Sequence, residues 1–337
     1  MNEEISYEKA GVDIDAADEM VDKIAQVIAD TWGDEIAGQI GAFGGHYRPP
    51  WRSFEQPELV ASTDSVGTKI RLAAQMEDFS GVGLDCTAMV LNDLIIERAQ
   101  PLFFLDYIAA DTLDHDDILQ IVEGLAEGCR QAGCALIGGE LAEMPGFYRK
   151  GDYELVGFGV GITEGCEESR PRSPREGDVL VGLASTGVHS NGYSLIRHLI
   201  DLHGWELNCK PSGMEDTLGE VLLHPTRIYV SALSRMFEEE TALAAAHITG
   251  GGLLGNIPRV LPDDLSPRLD WSSWEIPPIF HFIGHEGGVA EKEMRKTFNM
   301  GVGMVVICSP EEVDSALRTA QDSHIKAWVI GDVVSSE

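Results

Sequence analysis

Basic residues are scarce in this chain. Lys and Arg total 24 against 56 Asp and Glu, and only 8 of the 24 are lysines. The formal net charge of −32 repels polyanions, so nucleic acid and anionic membrane surfaces are excluded as partners. Long apolar runs are missing as well. Stretches such as Leu102–Leu105 and Val302–Cys308 fall far short of the roughly 20 residues that span a bilayer. The six cysteines, at 86, 129, 134, 166, 209 and 308, include no Cys-x-x-Cys pair, and a chain of 337 residues needs no staples; reduced, mostly buried thiols are expected. The opening Met1-Asn2-Glu3-Glu4 lacks the basic-then-apolar order of a secretion signal, so a cytoplasmic location is expected. Neither a 20–50-residue repeat nor a low-complexity tract interrupts the chain.

What remains is ordinary globular composition, 44% hydrophobic and 24% charged, in a length suited to two domains. The acidic excess reads as adaptation to a high-salt cytoplasm, where screening acts over a few ångströms, with an ordinary solvated acidic face as the competing reading. Residues 1–57 look irregular apart from an amphipathic stretch at 16–29 and the loop Gly41-Ala-Phe-Gly-Gly45. Beyond them the pattern predicts strands at 59–63, 102–109, 135–137 and 153–162 and helices at 84–98 and 116–131. The Glu-, Arg-, Pro- and Gly-rich stretch 163–178 is the expected domain boundary, dividing 58–165 from 166–337. After it come strands at 179–183, 244–248, 302–307 and 327–333. Helices are expected at 193–202, 277–284, 289–296 and 311–320, with another at 225–239 opened by Pro225. The fold class is α/β (mixed α+β), two layered domains with mixed sheets.

Five clusters carry chemistry. Thr63-Asp64-Ser65-Val66-Gly67-Thr68-Lys69 follows a strand; Asp64 is suited to Mg²⁺ and Lys69 to phosphate oxygens, although the spacing is not that of a Walker A loop. A turn with a surface salt bridge is the competing reading. Asn92-Asp93 sits in an apolar helix, where a carboxylate is costly unless a cation or donors satisfy it. Gly138-Gly139-Glu140 brings bare backbone next to an acid, as a ligand loop or a plain turn. His189-Ser190-Asn191-Gly192 precedes a helix, so Ser190 or Asn191 either caps it or helps to seat a phosphate there, with His189 a proton donor or a hydrogen-bonded loop residue. Gly250-Gly251-Gly252 leaves amides unshielded, as anion binding requires.

In their order and wording these stretches resemble the phosphoribosylformylglycinamidine cyclo-ligase (aminoimidazole ribonucleotide synthetase) family over essentially the whole chain. The likeness extends through Ala10-Gly11-Val12-Asp13-Ile14, Gln100-Pro101-Leu102-Phe103-Phe104-Leu105-Asp106-Tyr107 and Pro225-Thr226-Arg227-Ile228-Tyr229-Val230. It continues in His247-Ile248-Thr249-Gly250-Gly251-Gly252, Asn256-Ile257-Pro258-Arg259-Val260 and Thr297-Phe298-Asn299-Met300-Gly301. Ser65, Leu141 and Glu8 depart from the family's usual glycine, threonine and lysine.

The resemblance implies ATP-dependent closure of formylglycinamidine ribonucleotide to 5-aminoimidazole ribonucleotide in purine biosynthesis, with Mg²⁺. It implies a homodimer whose N-terminal sheets form a barrel with ATP in a cleft between the pair. Residues 58–165 become the ATP-binding domain and 166–337 the substrate-binding domain. ATP contacts fall to Gly44, Gly45, Thr63, Asp64, Gly67, Thr68, Lys69, Asn92, Asp93, Gly138, Gly139 and Glu140, and metal ligation to Asp64, Asp93 and Glu140. Substrate phosphate falls to His189, Ser190, Asn191, Gly250, Gly251 and Gly252, and catalytic roles to Asp64, Lys69, Asp93, His189 and His247. Selenophosphate synthetase and thiamine-monophosphate kinase share the implied fold. The first usually carries a reactive Cys near its start, where this chain has none before Cys86. A non-catalytic nucleotide-binding protein would be expected to have lost these acids and glycines.

Overall fold

The computed structural model describes residues 23–39, 41–166 and 171–336. Within the amphipathic stretch 16–29, residues 23–29 are helical (α1); residues 16–22, with Glu8 and the first family motif, lie outside the described residues. The N-terminal half continues through β1 (Pro57–Ser65), α2 (Ile70–Met76), α3 (Val82–Ile96), β2 (Gln100–Ala110), α4 (His115–Ala132), β3 (Ala135–Glu143) and β4 (Tyr153–Glu164). The C-terminal half runs β5 (Val179–Ala184), α5 (Tyr193–His203), α6 (Leu218–Leu223), α7 (Val230–Glu238), β6 (Ala244–His247), α8 (Gly252–Asn256) and β7 (Leu265–Leu269). It ends with α9 (Pro278–Glu286), α10 (Glu291–Thr297), β8 (Val302–Cys308), α11 (Val313–Asp322) and β9 (Ala327–Ser335).

The first sheet has the order β1-β4-β2-β3, with only the β2–β3 pair parallel. The second, β6-β8-β5-β9-β7, is antiparallel at every pairing, where a mixed sheet was expected. Packing explains which residues form α3. Nearly all of its side chains are buried, because one side lies on the first sheet and the other faces the loops of the C-terminal half. Its crossing with α4 is tight: a Cβ added to Gly83 would lie 2.0 Å from the Ile121 carbonyl oxygen, so only glycine admits this approach. At the ends of α4, Asp114 accepts from the amides of Asp116 and Asp117, and Gly133 closes the helix at φ 69°.

Three local expectations are corrected. Gly138-Gly139-Glu140 belongs to β3 and is not a turn. The helix expected from Pro225 begins only at Val230, because the main chain of 226–229 is held by side chains of α3. α2, α6 and β7 are additional elements. α6 carries a complete capping box between Thr217 and Glu220, and β7 contains Pro267 yet pairs as an edge strand, where a missing N–H is tolerated.

Candidate functional site

One face of α3 organises the site. Asp85, Met89, Asn92 and Asp93 stand at i, i+4, i+7 and i+8, the spacing that lines up side chains on a helix. Each meets a different part of the C-terminal half. The Asp85 Oδ1 accepts from Ser190 Oγ (2.9 Å), Thr226 N (2.7 Å) and Thr226 Oγ1 (2.6 Å). Met89 Sδ lies 3.9 Å from Asn191 Nδ2. The Asn92 amide donates to the Arg227 carbonyl (2.9 Å) and its oxygen accepts from Tyr229 N (2.9 Å). Asp93 Oδ1 sits 2.9 Å from His247 Nδ1, whose Nε2 is 3.4 Å from Asn92 Nδ2. The loops at 187–192 and 225–229 and the end of β6 therefore converge on a single helix.

Asp64 closes this group from β1. Burial raises its carboxyl above the usual range; the Ser65 amide opposes that shift, while Asp93 adds to it and His247 offsets it. The charges of Asp93 and His247 thus act on the Asp64 carboxyl in opposite directions. Asp93 and His247 border a cleft of about 260 Å³ together with Ser62, Asn256 and Arg259. Contrary to expectation, Asp93 is not buried: its side chain is 41% exposed, and the buried carboxylate of this helix is Asp85.

A second cleft, of about 550 Å³, gathers five of the expected residues, Gly44, Gly45, Gly138, Gly139 and Glu140. The 41–45 loop packs on the bulge of β3, since a Cβ on Gly45 would meet Ile137 Cδ1 at 2.8 Å. Leu141, the departure from threonine, is part of the wall. So is Asp106, whose carboxyl burial pushes up to about 7 and whose oxygens occupy the space that a Gly139 side chain would need. Sheet register links the two acids in one row: Asp64 pairs with Gly157, Gly157 with Asp106, and Asp106 with Gly139. Asp106 was not among the sequence candidates. The signal existed, an acid within an apolar strand, by the same criterion that selected Asp93.

Several expected roles change. Lys69 has no exposed surface; its ammonium meets Asp85 Oδ2 at 2.7 Å, the His224 carbonyl at 2.7 Å and the His189 carbonyl at 3.2 Å, so all three donors are spent inside the protein. Asn92 is likewise consumed. His189 is buried, and burial holds its imidazole well below its usual range, with the charges of His247, Lys69 and Arg227 adding to the effect. Its Nε2 accepts from Thr186 N at 3.1 Å, which leaves the ring proton on Nδ1, a buried atom with no partner among the described residues.

Neither Ser190 nor Asn191 caps α5; Gly192 at φ 83° takes that position with no side-chain cap. Gly252 is required by packing, because an added Cβ would stand 2.0 Å from the Arg295 carbonyl oxygen. Glu140 lies in the glycine cleft, apart from Asp64 and Asp93. Among the described residues no group of three or more His, Cys, Asp or Glu side chains is placed to hold a metal by itself. Thr63 donates to the Gly157 carbonyl (2.8 Å), Thr68 Oγ1 meets Ser194 Oγ at 3.3 Å, and Gly67 turns at φ 65° in open space. No helix among the described residues is long and apolar enough to cross a membrane.

The fold and the matched segments define the class. Residues 52–163 match the family described as AIR synthase related protein, N-terminal domain, and residues 175–337 match its C-terminal domain. Among curated relatives, the phosphoribosylformylglycinamidine cyclo-ligase of Burkholderia mallei (strain SAVP1) is 46% identical over 98% of this chain and 94% of its own length. The enzyme of that name from Desulfitobacterium hafniense is 45% identical over 97% of this chain and 96% of its own. The chain belongs to the phosphoribosylformylglycinamidine cyclo-ligase family, and it is a ligase. Solved structures share the fold at low identity. Thiamine-monophosphate kinase from Stenotrophomonas maltophilia K279a superposes with a TM-score of 0.68 at 17% identity, covering 94% of each chain. The hydrogenase maturation protein HypE of E. coli gives 0.64 at 16% identity, covering 95% of this chain and 92% of its own.

Proposed function

We propose that this chain converts formylglycinamidine ribonucleotide and ATP to 5-aminoimidazole ribonucleotide, ADP and phosphate, a step of purine biosynthesis. The formamide oxygen is a poor leaving group. Transfer of the γ-phosphoryl group to it gives an iminophosphate; the amidine nitrogen then attacks that carbon, and phosphate leaves as the ring closes. Such chemistry needs positioning and charge neutralisation more than covalent help from the protein. The observation that carries the reading is the contact of Asp93 on α3 with His247 at the end of β6, 2.9 Å across the junction of the two halves, with the Asp64 carboxyl within range of both charges.

Two carboxylates and no third ligand suit Mg²⁺, which commonly takes one or two protein carboxylates and completes its shell with phosphates and water. Bound there, Mg²⁺ supplies neutralisation of the polyphosphate charge. His247 orients Asp93 through Nδ1, and Asn92 holds the far side of that ring. The glycine cleft with Glu140 receives the nucleotide, and Asn191 with Gly250 and Gly251 lies toward the substrate phosphate. Lys69 takes no part in phosphate contact.

The first sheet supports assembly as a homodimer. The face of β1 and β4 turned away from α3 carries Leu59 (56% exposed) and Phe158 (39% exposed), and among the described residues β1 is an edge strand. A mate covering that face would close the barrel.

A turnover assay with Mg-ATP tests the activity. ADP should appear only when formylglycinamidine ribonucleotide is present, one per ring closed. Phosphoryl transfer to thiamine monophosphate without ring closure would sink the reading.

A further inference from the structure

We propose that Arg227 is a phosphate-binding residue, its guanidinium taking the oxyanion of a phosphate ester beside the uncapped start of α5. The loop that carries it is rigid. Thr226 is fixed to Asp85 through both its amide and its hydroxyl, the Arg227 carbonyl receives the Asn92 amide, and Tyr229 N binds the Asn92 oxygen. The arginine is thus set by its neighbours' main chain.

Its own head group is left over. The Nε is buried without an acceptor, and among the described residues the guanidinium has no ion pair and donates no hydrogen bond. No other arginine among the described residues has a buried nitrogen without a partner. Arg71, Arg172, Arg235, Arg268 and Arg295 all face a carboxylate. Burying an unpartnered guanidinium atom costs free energy that nothing in the fold returns, so an external anion is the missing partner.

Position supports this. Thr226 Oγ1 lies 3.0 Å from Ser190 Oγ, and both hydroxyls meet Asp85 Oδ1, which sets the 226–227 segment against the loop leading into α5. That helix is 11 residues long and begins at Gly192 with no side-chain cap, leaving the positive end of its dipole available. A planar donor fork beside such an end suits phosphate rather than a carboxylate already present in the protein. The inference rests on the cyclo-ligase reading for the identity of the ester alone, either the ribonucleotide 5′-phosphate or the ATP polyphosphate.

The test uses the full chain with Arg227→Gln and Arg227→Lys, titrated calorimetrically with inorganic phosphate, ribose 5-phosphate and a non-hydrolysable Mg-ATP analogue. Arg227→Gln should weaken phosphate binding about tenfold or more, the scale of a charged hydrogen bond. Arg227→Lys should recover part of that loss, and the ligand-free melting temperature of Arg227→Gln should stay level or rise. Loss confined to ribose 5-phosphate assigns the residue to the substrate ester, and loss confined to the ATP analogue assigns it to the nucleotide; either supports the proposal. Unchanged affinity for all three probes overturns it. So does a fall in ligand-free melting temperature with affinity per folded molecule retained, since that is the signature of a structural arginine. A parent protein that binds phosphate through Arg227 but forms no imidazole ribonucleotide would overturn the cyclo-ligase reading and leave this one standing.

Discussion

An ammonium group enclosed as Lys69 is keeps its charge only if acceptors surround it. Burial pulls its proton affinity down while Asp85 holds it up, and two carbonyls complete the set. Removing one member of such a buried pair strands the other. Lys69→Met should therefore lower unfolding free energy by about 3–5 kcal/mol, and adding Asp85→Asn should recover part of that loss. Denaturant titration of the single and double variants checks this; a Lys69→Met protein of parental stability that fails only to bind ATP would restore the phosphate role. Asp93 is the opposite case. Its carboxylate is 41% exposed and has one partner among the described residues, His247, so Asp93→Asn should leave the melting temperature nearly unchanged. Turnover should fall by orders of magnitude, and stabilisation by Mg-ATP should shrink. Undiminished stabilisation by Mg-ATP in that variant would remove Asp93 from the metal site. Gly250 offers a gentler probe than Gly251, which turns at φ 103° and would be strained by any side chain. A Cβ on Gly250 stands 3.6 Å from Asn191 Oδ1, an ordinary contact, so Gly250→Ala should fold normally and weaken ribonucleotide binding. Binding equal to the parent's would make the triplet a turn only.

At the scale of elements, periodicity recovered nearly every buried strand and helix, because local pattern and burial agree there. The stripe on α3 was half legible. Asp85, Asn92 and Asp93 could be seen as polar residues on an apolar helix, but which was buried depended on the partners each found, and those are 100 or more residues away. The 225–229 segment failed for the same reason: its amides bond to α3 instead of to a first helical turn. In β3 the pair Gly138-Gly139 has the sequence of a turn, yet its lack of side chains serves the approach of Asp106 from β2. That contact makes a pH prediction. Burial pushes the Asp106 carboxyl up to about 7 in the folded chain, against the ordinary 3.8. The folded state thus binds more protons between those values, and stability declines as pH rises through them. Asp106→Asn removes the titration. Its melting temperature should exceed the parent's by a margin that grows from pH 5 to pH 8, and a constant margin across that range would show the carboxylate already neutralised by its surroundings.

For the whole molecule the governing quantity is the charge of −32 on one chain. Pairing two such chains through the face bearing Leu59 and Phe158 sets apolar gain against repulsion between like-charged bodies. The apolar term is insensitive to moderate salt or strengthened by it, whereas repulsion is screened over about 10 Å at 0.1 M and about 3 Å at 1 M. Most of the chain's ion pairs are partly exposed and contribute little, so screening costs little stability in return. The Lys69–Asp85 pair is out of reach of salt, with both side chains fully buried. Dimer population and melting temperature should therefore rise together as KCl is raised from low concentration to about 1 M. Light scattering and thermal melts on the same samples measure both. A species near 36.6 kDa at every salt concentration would exclude the homodimer. A dimer that dissociates as KCl rises would show that the interface is held by ion pairs rather than by the apolar face of the sheet.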